Sequence, residues 1–160
     1  GALAARHYVL ALALIGLNRL CDGLDGAVAR RSATTDVGGF LDSVCDSIFY
    51  SAVPLGFAVG RPDDALPALA LVQSFMGTTG SFLAFAALAA RRGTRDEWVG
   101  KKSFYYHFGL MEGGETIGFF VAFCLFPDRF APLAWTFAGL CWLTTFIRVA
   151  TGIGLLSRDP

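Results

Sequence analysis

The chain has 160 residues, of which 54% are hydrophobic and 16% are charged, and its mean hydropathy is +0.54. Ordinary soluble domains carry about 25% charged residues, so the composition argues against such a domain and predicts an all-α membrane protein. Thirteen basic residues balance thirteen acidic ones, and net charge therefore gives no support for binding to nucleic acid.

A membrane-spanning helix needs about 20 mostly apolar residues, and five stretches of the chain approach this length. We predict helices, in chain order, at about 8–31, 38–59, 65–90, 104–126 and 130–156. Short polar segments separate them, and no strand pattern or internal repeat is present. We therefore expect residues 1–160 to form a single integral-membrane domain, a polytopic helical bundle with five spanning helices.

The basic residues are unevenly distributed between the two ends of these helices. By the positive-inside rule, the side with more Lys and Arg in its short connections faces the cytoplasm. That side receives Arg30, Arg31, Arg91, Arg92, Arg95, Lys101, Lys102 and Arg158, whereas the other side receives Arg6, Arg61 and Arg129.

Four aspartates stand out in the first two predicted helices. Asp22 and Asp25 are three residues apart, and Asp42 and Asp46 are four apart, so each pair shares a helix face. A loop-like stretch between the pairs would let the helices fold back antiparallel and bring the carboxylates together. One charge at the bilayer centre costs at least roughly 2.5–3.5 kcal/mol on insertion scales, and clustered carboxylates repel one another unless cations neutralise them. The pattern therefore predicts a metal site.

The two aspartate pairs belong to a longer pattern, which reads Asp22-x-x-Asp25-Gly26-x-x-Ala29-Arg30 and then Gly38-x-x-x-Asp42-x-x-x-Asp46. This pattern resembles the signature of the CDP-alcohol phosphatidyltransferases. The stretches NRLCDGLDGAVARR and GLMEGGETIGFF also resemble a short bacterial branch of that family. Seven residues separate Arg30 from Gly38, where the family usually has about eight. The family also usually has six spanning helices, so we expect a first helix to be missing ahead of Gly1.

The resemblance implies a reaction and a set of site residues. An acceptor hydroxyl attacks the β-phosphorus of a CDP-linked alcohol, with CDP-diacylglycerol as the expected donor, and CMP leaves. Two divalent ions, Mg²⁺ or Mn²⁺, would be held by Asp22, Asp25, Asp42 and Asp46, with Asp46 also serving as the general base on the acceptor. Such ions prefer carboxylate oxygens and suit phosphoryl transfer.

Further residues of the signature are expected to bind the donor substrate. Arg30 can donate two hydrogen bonds to its diphosphate. Gly26 and Ala29 leave room for the nucleotide, and Gly38 would let the second helix start close to the first. A hydroxyl from Thr34 or Thr35 would reach a phosphate.

The implied setting is the bacterial inner membrane, with the site toward the cytoplasm. A small polar alcohol is the expected acceptor, nothing in the sequence selects which one, and related proteins commonly form homodimers. Two other functions fit aspartate-rich membrane helices, namely a UbiA-like intramembrane prenyltransferase and an ion transporter. Two sets of charged residues have open roles. Arg19 could pair with Asp22 or bind an acceptor phosphate, and Glu112 and Glu115 could bind an acceptor or pair with Arg148.

Overall fold

The computed structural model describes residues 1–31, 35–91 and 113–157, and every regular element within these ranges is a helix. The α-helices in these ranges are α1 (Tyr8–Arg31), α2 (Asp36–Gly60), α3 (Ala65–Arg91), α4 (Gly113–Leu125) and α5 (Phe130–Leu156). The predicted all-α bundle is confirmed. The bounds of α1 and α5 match the prediction, and the expected start of the fourth helix near residue 104 lies outside the described residues.

Three of the described stretches are long and apolar enough to cross a membrane, namely Val37–Gly60, Pro62–Leu88 and Pro127–Gly154. The described part of α4 is a shorter apolar helix of 13 residues. α1 has 24 residues, which is long enough to span, but it carries Arg19 at its middle and Asp22 and Asp25 in its second half. The helix that is poorest in apolar character is therefore one that carries the candidate site.

The connections α2–α3 and α4–α5 are both short 3₁₀ turns that begin with proline, at Pro62–Asp64 and Pro127–Arg129. Arg61 joins them, because its Nη1 donates to Asp128 at 3.0 Å and its Nε donates to Asp64 at 2.6 Å. Both hydrogen bonds raise the pKa of Arg61, and the bond to Asp64 has the larger effect. Both connections consequently lie at the same end of the bundle.

The residues ahead of α1 fold over the last turns of α2 at this same end. Leu3 is buried there, and a Cβ added at Gly60 would lie only 2.6 Å from the Leu3 carbonyl oxygen. Arg6, whose φ is 60°, donates from Nε to the Gly60 carbonyl at 2.6 Å. Glycine at position 60 thus permits a contact between two backbones that any side chain would block.

Aromatic rings fill the core between the helices. α1 packs mainly on α4, α2 on α3, and α3 on α5. Phe57 of α2 stacks on Phe130 of α5 with 4.3 Å between ring centroids, and Phe119 of α4 stacks on Phe137 of α5 at 4.4 Å. The fully buried rings are Phe57, Phe120, Phe123, Phe130 and Phe137.

Candidate metal site

The candidate site lies in the half of the bundle away from the two proline turns. Asp22 lies fourteen residues after Tyr8, the first residue of α1, and Asp46 lies fourteen residues before Gly60, the last residue of α2. At 1.5 Å of rise per residue, each carboxylate is about 21 Å along its helix from that end. Arg31 and Arg91 are at the helix ends that lie on the side of the site.

Three carboxylates from two helices meet at this point. Oxygens of Asp22 on α1 and of Asp42 and Asp46 on α2 all lie within 4.8 Å of one another. Asp42 is exposed, and the side chains of Asp22 and Asp46 are 40% and 31% exposed. Carboxylates this close repel one another unless a cation or a proton intervenes, and hard divalent cations prefer oxygen ligands of this kind. The three described aspartates therefore fit a divalent ion.

Four other predicted site residues lie on the last turns of α1, namely Asp25, Gly26, Ala29 and Arg30. Their side chains lie outside the described part of the structure, as does all of Thr34. Their assigned roles, including that of Asp25 as a fourth carboxylate ligand, stay predictions.

Thr35 and Gly38 form the start of α2. Thr35 is the N-cap residue, and its Oγ1 accepts a hydrogen bond from the Gly38 amide at 3.1 Å. This cap explains why α2 begins at Asp36, two residues before the predicted start. Among the described atoms, the one that a Cβ at Gly38 would meet is Thr35 Oγ1, also at 3.1 Å. The absence of a side chain at Gly38 therefore leaves room for the capping hydroxyl of Thr35. The expected role of Gly38 was a different one, a close approach between the start of α2 and α1.

Arg19 connects the carboxylates of the two helices. Its Nη1 donates to Asp22 Oδ2 at 3.3 Å, as the spacing of three residues predicts, and its Nη2 donates to Asp46 Oδ1 at 2.9 Å. The second contact was missed, since 27 positions separate the two residues. Tyr50 was also missed, although its hydroxyl donates to Asp46 Oδ2 at 3.4 Å. The available signal was its position one helical turn after Asp46.

Arg148, Glu112 and Glu115 are the charged residues of predicted interest that do not belong to α1 or α2. Arg148 of α5 donates from Nη1 to the Thr78 carbonyl of α3 at 3.2 Å, and its guanidinium lies 5.6 Å from the centre of the Phe82 ring. Glu115 is in the first turn of α4, and Glu112 lies outside the described residues. Arg148 thus links α3 to α5, whereas its predicted pairing with the two glutamates stays a prediction.

The fold and the site define a helical membrane protein in which carboxylates from two helices converge toward one end of the bundle. The model of the CDP-alcohol phosphatidyltransferase family matches residues 2–153, which is nearly the whole chain. The chain belongs to the CDP-alcohol phosphatidyltransferase family, as its aspartate signature predicted.

The chain is also similar to two curated bacterial proteins. The chain is 54% identical over 151 residues to "Inner membrane protein YnjF" of Escherichia coli (strain K12), covering 94% of the chain and 73% of that protein. It is 37% identical over 91 residues to an uncharacterized protein of Aquifex aeolicus (strain VF5), covering 54% of the chain and 39% of that protein. No solved structure matches the chain.

Family membership settles the class of activity. Members are membrane phosphotransferases of phospholipid biosynthesis that act on CDP-alcohol donors and alcohol acceptors and generally depend on divalent metal. The chain is accordingly a phosphotransferase, and this assignment decides against the prenyltransferase and transporter alternatives.

Proposed function

We propose that the protein transfers the phosphatidyl group of CDP-diacylglycerol to a small polar alcohol and releases CMP. The observation that carries the proposal is the meeting of Asp22, Asp42 and Asp46 within 4.8 Å, from two helices, in a chain of this family. Phosphoryl transfer is catalysed mainly by positioning and by neutralising charge on phosphate oxygens. Carboxylates that converge from two helices can hold the cations that such neutralisation needs.

The proposed chemistry assigns one role to each group of residues. The acceptor hydroxyl loses its proton to a carboxylate oxygen of Asp46, its oxygen bonds to the β-phosphorus, and the bond from that phosphorus to CMP breaks. Arg30 binds the diphosphate, and Gly26 and Ala29 leave space for the nucleotide. Thr35 uses its hydroxyl oxygen to cap α2, and its proposed second role is to donate the hydroxyl hydrogen to a phosphate oxygen.

We propose Mg²⁺ or Mn²⁺ as the cofactor, in a site for two ions. Asp22, Asp42 and Asp46 are the described residues that would hold it, and Asp25 is the proposed fourth ligand. When bound, the ions supply positive charge for the attacking and leaving oxygens.

The direct test is release of CMP by the purified full chain from CDP-diacylglycerol and Mg²⁺, with a panel of alcohols that includes glycerol 3-phosphate, serine and inositol phosphate. We expect one acceptor to give CMP and a new phospholipid in equal amounts. Asp46→Asn should abolish turnover, while Asp128→Asn, an exposed aspartate at the opposite end, should retain it. Absence of CMP with every acceptor, or full turnover by Asp46→Asn, would contradict the proposal.

We also propose that the protein lies in the bacterial inner membrane with the site facing the cytoplasm. The support is the positive-inside pattern of the sequence, in which Arg30, Arg31 and Arg91 share a side with most of the other basic residues, together with the Escherichia coli relative, which is named an inner membrane protein. α5 runs from the proline turn toward the site end, so a fluorescent protein fused after Pro160 should fold in the cytoplasm and fluoresce. A periplasmic reporter, alkaline phosphatase, should be inactive at the same position. The reverse result would place the site outside the cytoplasm.

A homodimer through α3 completes the proposed function. One face of this helix repeats at spacings of three and four residues, and all its members are exposed: Leu66, Leu69, Gln73, Met76, Gly80, Leu83 and Ala87. An exposed Gln73 amide near the middle of a spanning helix is costly in lipid, whereas amides and small residues at such positions stabilise contacts between helices. Gln73 can donate to and accept from its own counterpart in a second copy.

Crosslinking in membranes tests this interface. Gln73→Leu should reduce the dimer fraction, and Thr136→Val should not, because the exposed Thr136 hydroxyl already donates to the Pro132 carbonyl within its own helix. An unchanged dimer fraction in Gln73→Leu, or a monomeric wild type, would contradict the proposed interface.

A further inference from the structure

Arg19 is the described residue that directly ties the carboxylates of α1 to those of α2. α1 packs mainly on α4, whereas α2 packs mainly on α3. The two helices that carry the aspartates therefore belong to different packed pairs. At the site, the guanidinium of Arg19 lies between Asp22 on its own helix, at 3.3 Å, and Asp46 on the other, at 2.9 Å.

The guanidinium is itself held in one orientation. Asn18 Oδ1 accepts hydrogen bonds from Nε at 3.1 Å and from Nη2 at 2.7 Å, and Tyr50 Oη lies 3.5 Å from Nη1. The guanidinium carbon is 5.0 Å from the centre of the Phe49 ring and 5.7 Å from that of Tyr50. Together with the two carboxylates, these contacts occupy all five N–H donors of an arginine.

Because every donor is engaged, Arg19 could bind an acceptor phosphate only by giving up one of these contacts. The side chain is only 20% exposed, and its planar fork matches two carboxylates from different helices. The geometry therefore favours a role within the protein over a role in binding substrate.

Asp46 receives a hydrogen bond on each of its oxygens. Arg19 donates to Oδ1, and the Tyr50 hydroxyl donates to Oδ2 at 3.4 Å. The Tyr50 ring is fixed in turn by edge contact with the buried Phe120 of α4, at 6.0 Å between centroids. The carboxylate of Asp46 is thus oriented from both sides by residues that the family signature does not contain.

We infer that Arg19 and Tyr50 are positioning residues, which hold Asp46 in a fixed orientation beside Asp22 before any ion or substrate binds. This inference rests on the proposed function. Residues that orient metal ligands commonly change metal affinity or activity by about 10- to 100-fold when they are replaced. Asp46 serves both as a proposed ligand and as the proposed base, so both quantities should respond.

The decisive variant is Arg19→Lys, which keeps the charge but loses the planar fork that reaches two carboxylates. Binding of Mn²⁺ to the purified full chain is measured by the loss of the free-ion electron paramagnetic resonance signal. The kcat and the KM for the acceptor are measured by CMP release. We expect Mn²⁺ affinity and kcat each to fall about tenfold or more, with the KM for the acceptor changed less than about threefold.

The chain offers a matched control in Arg61→Lys. Arg61 also joins two carboxylates, Asp64 and Asp128, but at the opposite end of the bundle. This variant should leave Mn²⁺ affinity and kcat unchanged. If Arg19→Lys fails to fold, Tyr50→Phe decides. This variant removes only the hydroxyl, which donates to Asp46 and accepts from Arg19, and it should lower kcat several-fold with the ring packing intact.

Three results would overturn the inference. For Arg19→Lys, these are unchanged or tighter Mn²⁺ binding with unchanged kcat, and a rise in the acceptor KM without any other change. For Tyr50→Phe, the result is full activity. If the wild type neither binds Mn²⁺ nor releases CMP, the proposed function fails as well. A fully active wild type with an unaffected Arg19→Lys rejects the positioning role alone.

Discussion

Arg61 and Asp128 lie 67 positions apart in sequence, yet Nη1 of the arginine is 3.0 Å from Oδ1 of the aspartate. This contact joins the turn between α2 and α3 to the turn between α4 and α5. The contact therefore stabilises the end of the bundle that is opposite the carboxylate cluster. The two ends can therefore be altered separately, so a substitution at the turn end is a suitable control for one at the carboxylate cluster.

The first prediction concerns this ion pair. Asp128 is 92% exposed, whereas Asp64, the second partner of Arg61, is 14% exposed. Exposed ion pairs contribute about 0–1 kcal/mol to stability, so Asp128→Asn should lower the free energy of unfolding by less than about 1 kcal/mol. Arg61→Gln loses both partners and should cost more, as measured by unfolding in detergent. Equal losses for the two variants would contradict this ranking.

The second prediction concerns the backbone contact at Gly60. An alanine Cβ there would lie 2.6 Å from the Leu3 carbonyl and 3.1 Å from that of Ala4, and backbone atoms cannot yield as a side-chain end can. Gly60→Ala should therefore destabilise the protein by about 1–3 kcal/mol, as overpacking does, and should release the residues ahead of α1.

Gly139 is the matched control for this variant. It lies inside α5 with nothing within 4 Å of an added Cβ, so Gly139→Ala should stabilise its helix by about 0.5–1 kcal/mol. Thermal unfolding of both variants, with limited proteolysis of the N-terminal segment, checks the pair. A neutral Gly60→Ala would show that the Leu3 contact is dispensable.

The third prediction concerns the aromatic core. Phe57 is fully buried and contacts Tyr8, Phe123 and Phe130 through ring distances of 5.7, 5.8 and 4.3 Å. Phe57→Ala should cost about 3–5 kcal/mol, because it leaves a cavity that the neighbouring rings cannot fill. Phe40, on the same helix but 67% exposed, should tolerate alanine with little loss in a denaturant titration. A similar loss at both positions would argue against a packed core around Phe57.

The sequence predicts helices well and predicts their partners poorly. Length and hydropathy located α1 and α5 to the residue, because polar segments interrupt the apolar runs. The pairing of α1 with α4 could not be read, since membrane helices are apolar on many faces and periodicity does not single out one. α2 begins two residues ahead of the expected start because Thr35 caps it, and a threonine just before an apolar helix is a sequence signal for such a cap.

The same limit applies at the candidate site. Spacing within a helix predicts the pairs Arg19–Asp22 and Asp42–Asp46, because residues three or four apart are neighbours on a helix. The contact from Arg19 to Asp46 depends on how α1 and α2 are placed, which local spacing does not determine. Tyr50 lies four residues after Asp46, so the same rule predicts that their side chains are neighbours on α2.

The last prediction concerns removal of the metal. Chelation by EDTA should abolish CMP release by the full chain, and added Mg²⁺ or Mn²⁺ should restore it, if Asp22, Asp42 and Asp46 hold the ion. Asp42→Asn removes one negative charge from the described cluster and should raise the Mg²⁺ concentration for half-maximal activity by about tenfold or more, since lost ligand charge weakens such sites. Asp63→Asn, an exposed aspartate in the turn after α2, is the control and should not change it. Activity that survives chelation, or the same metal dependence in both variants, would contradict a metal site at these carboxylates.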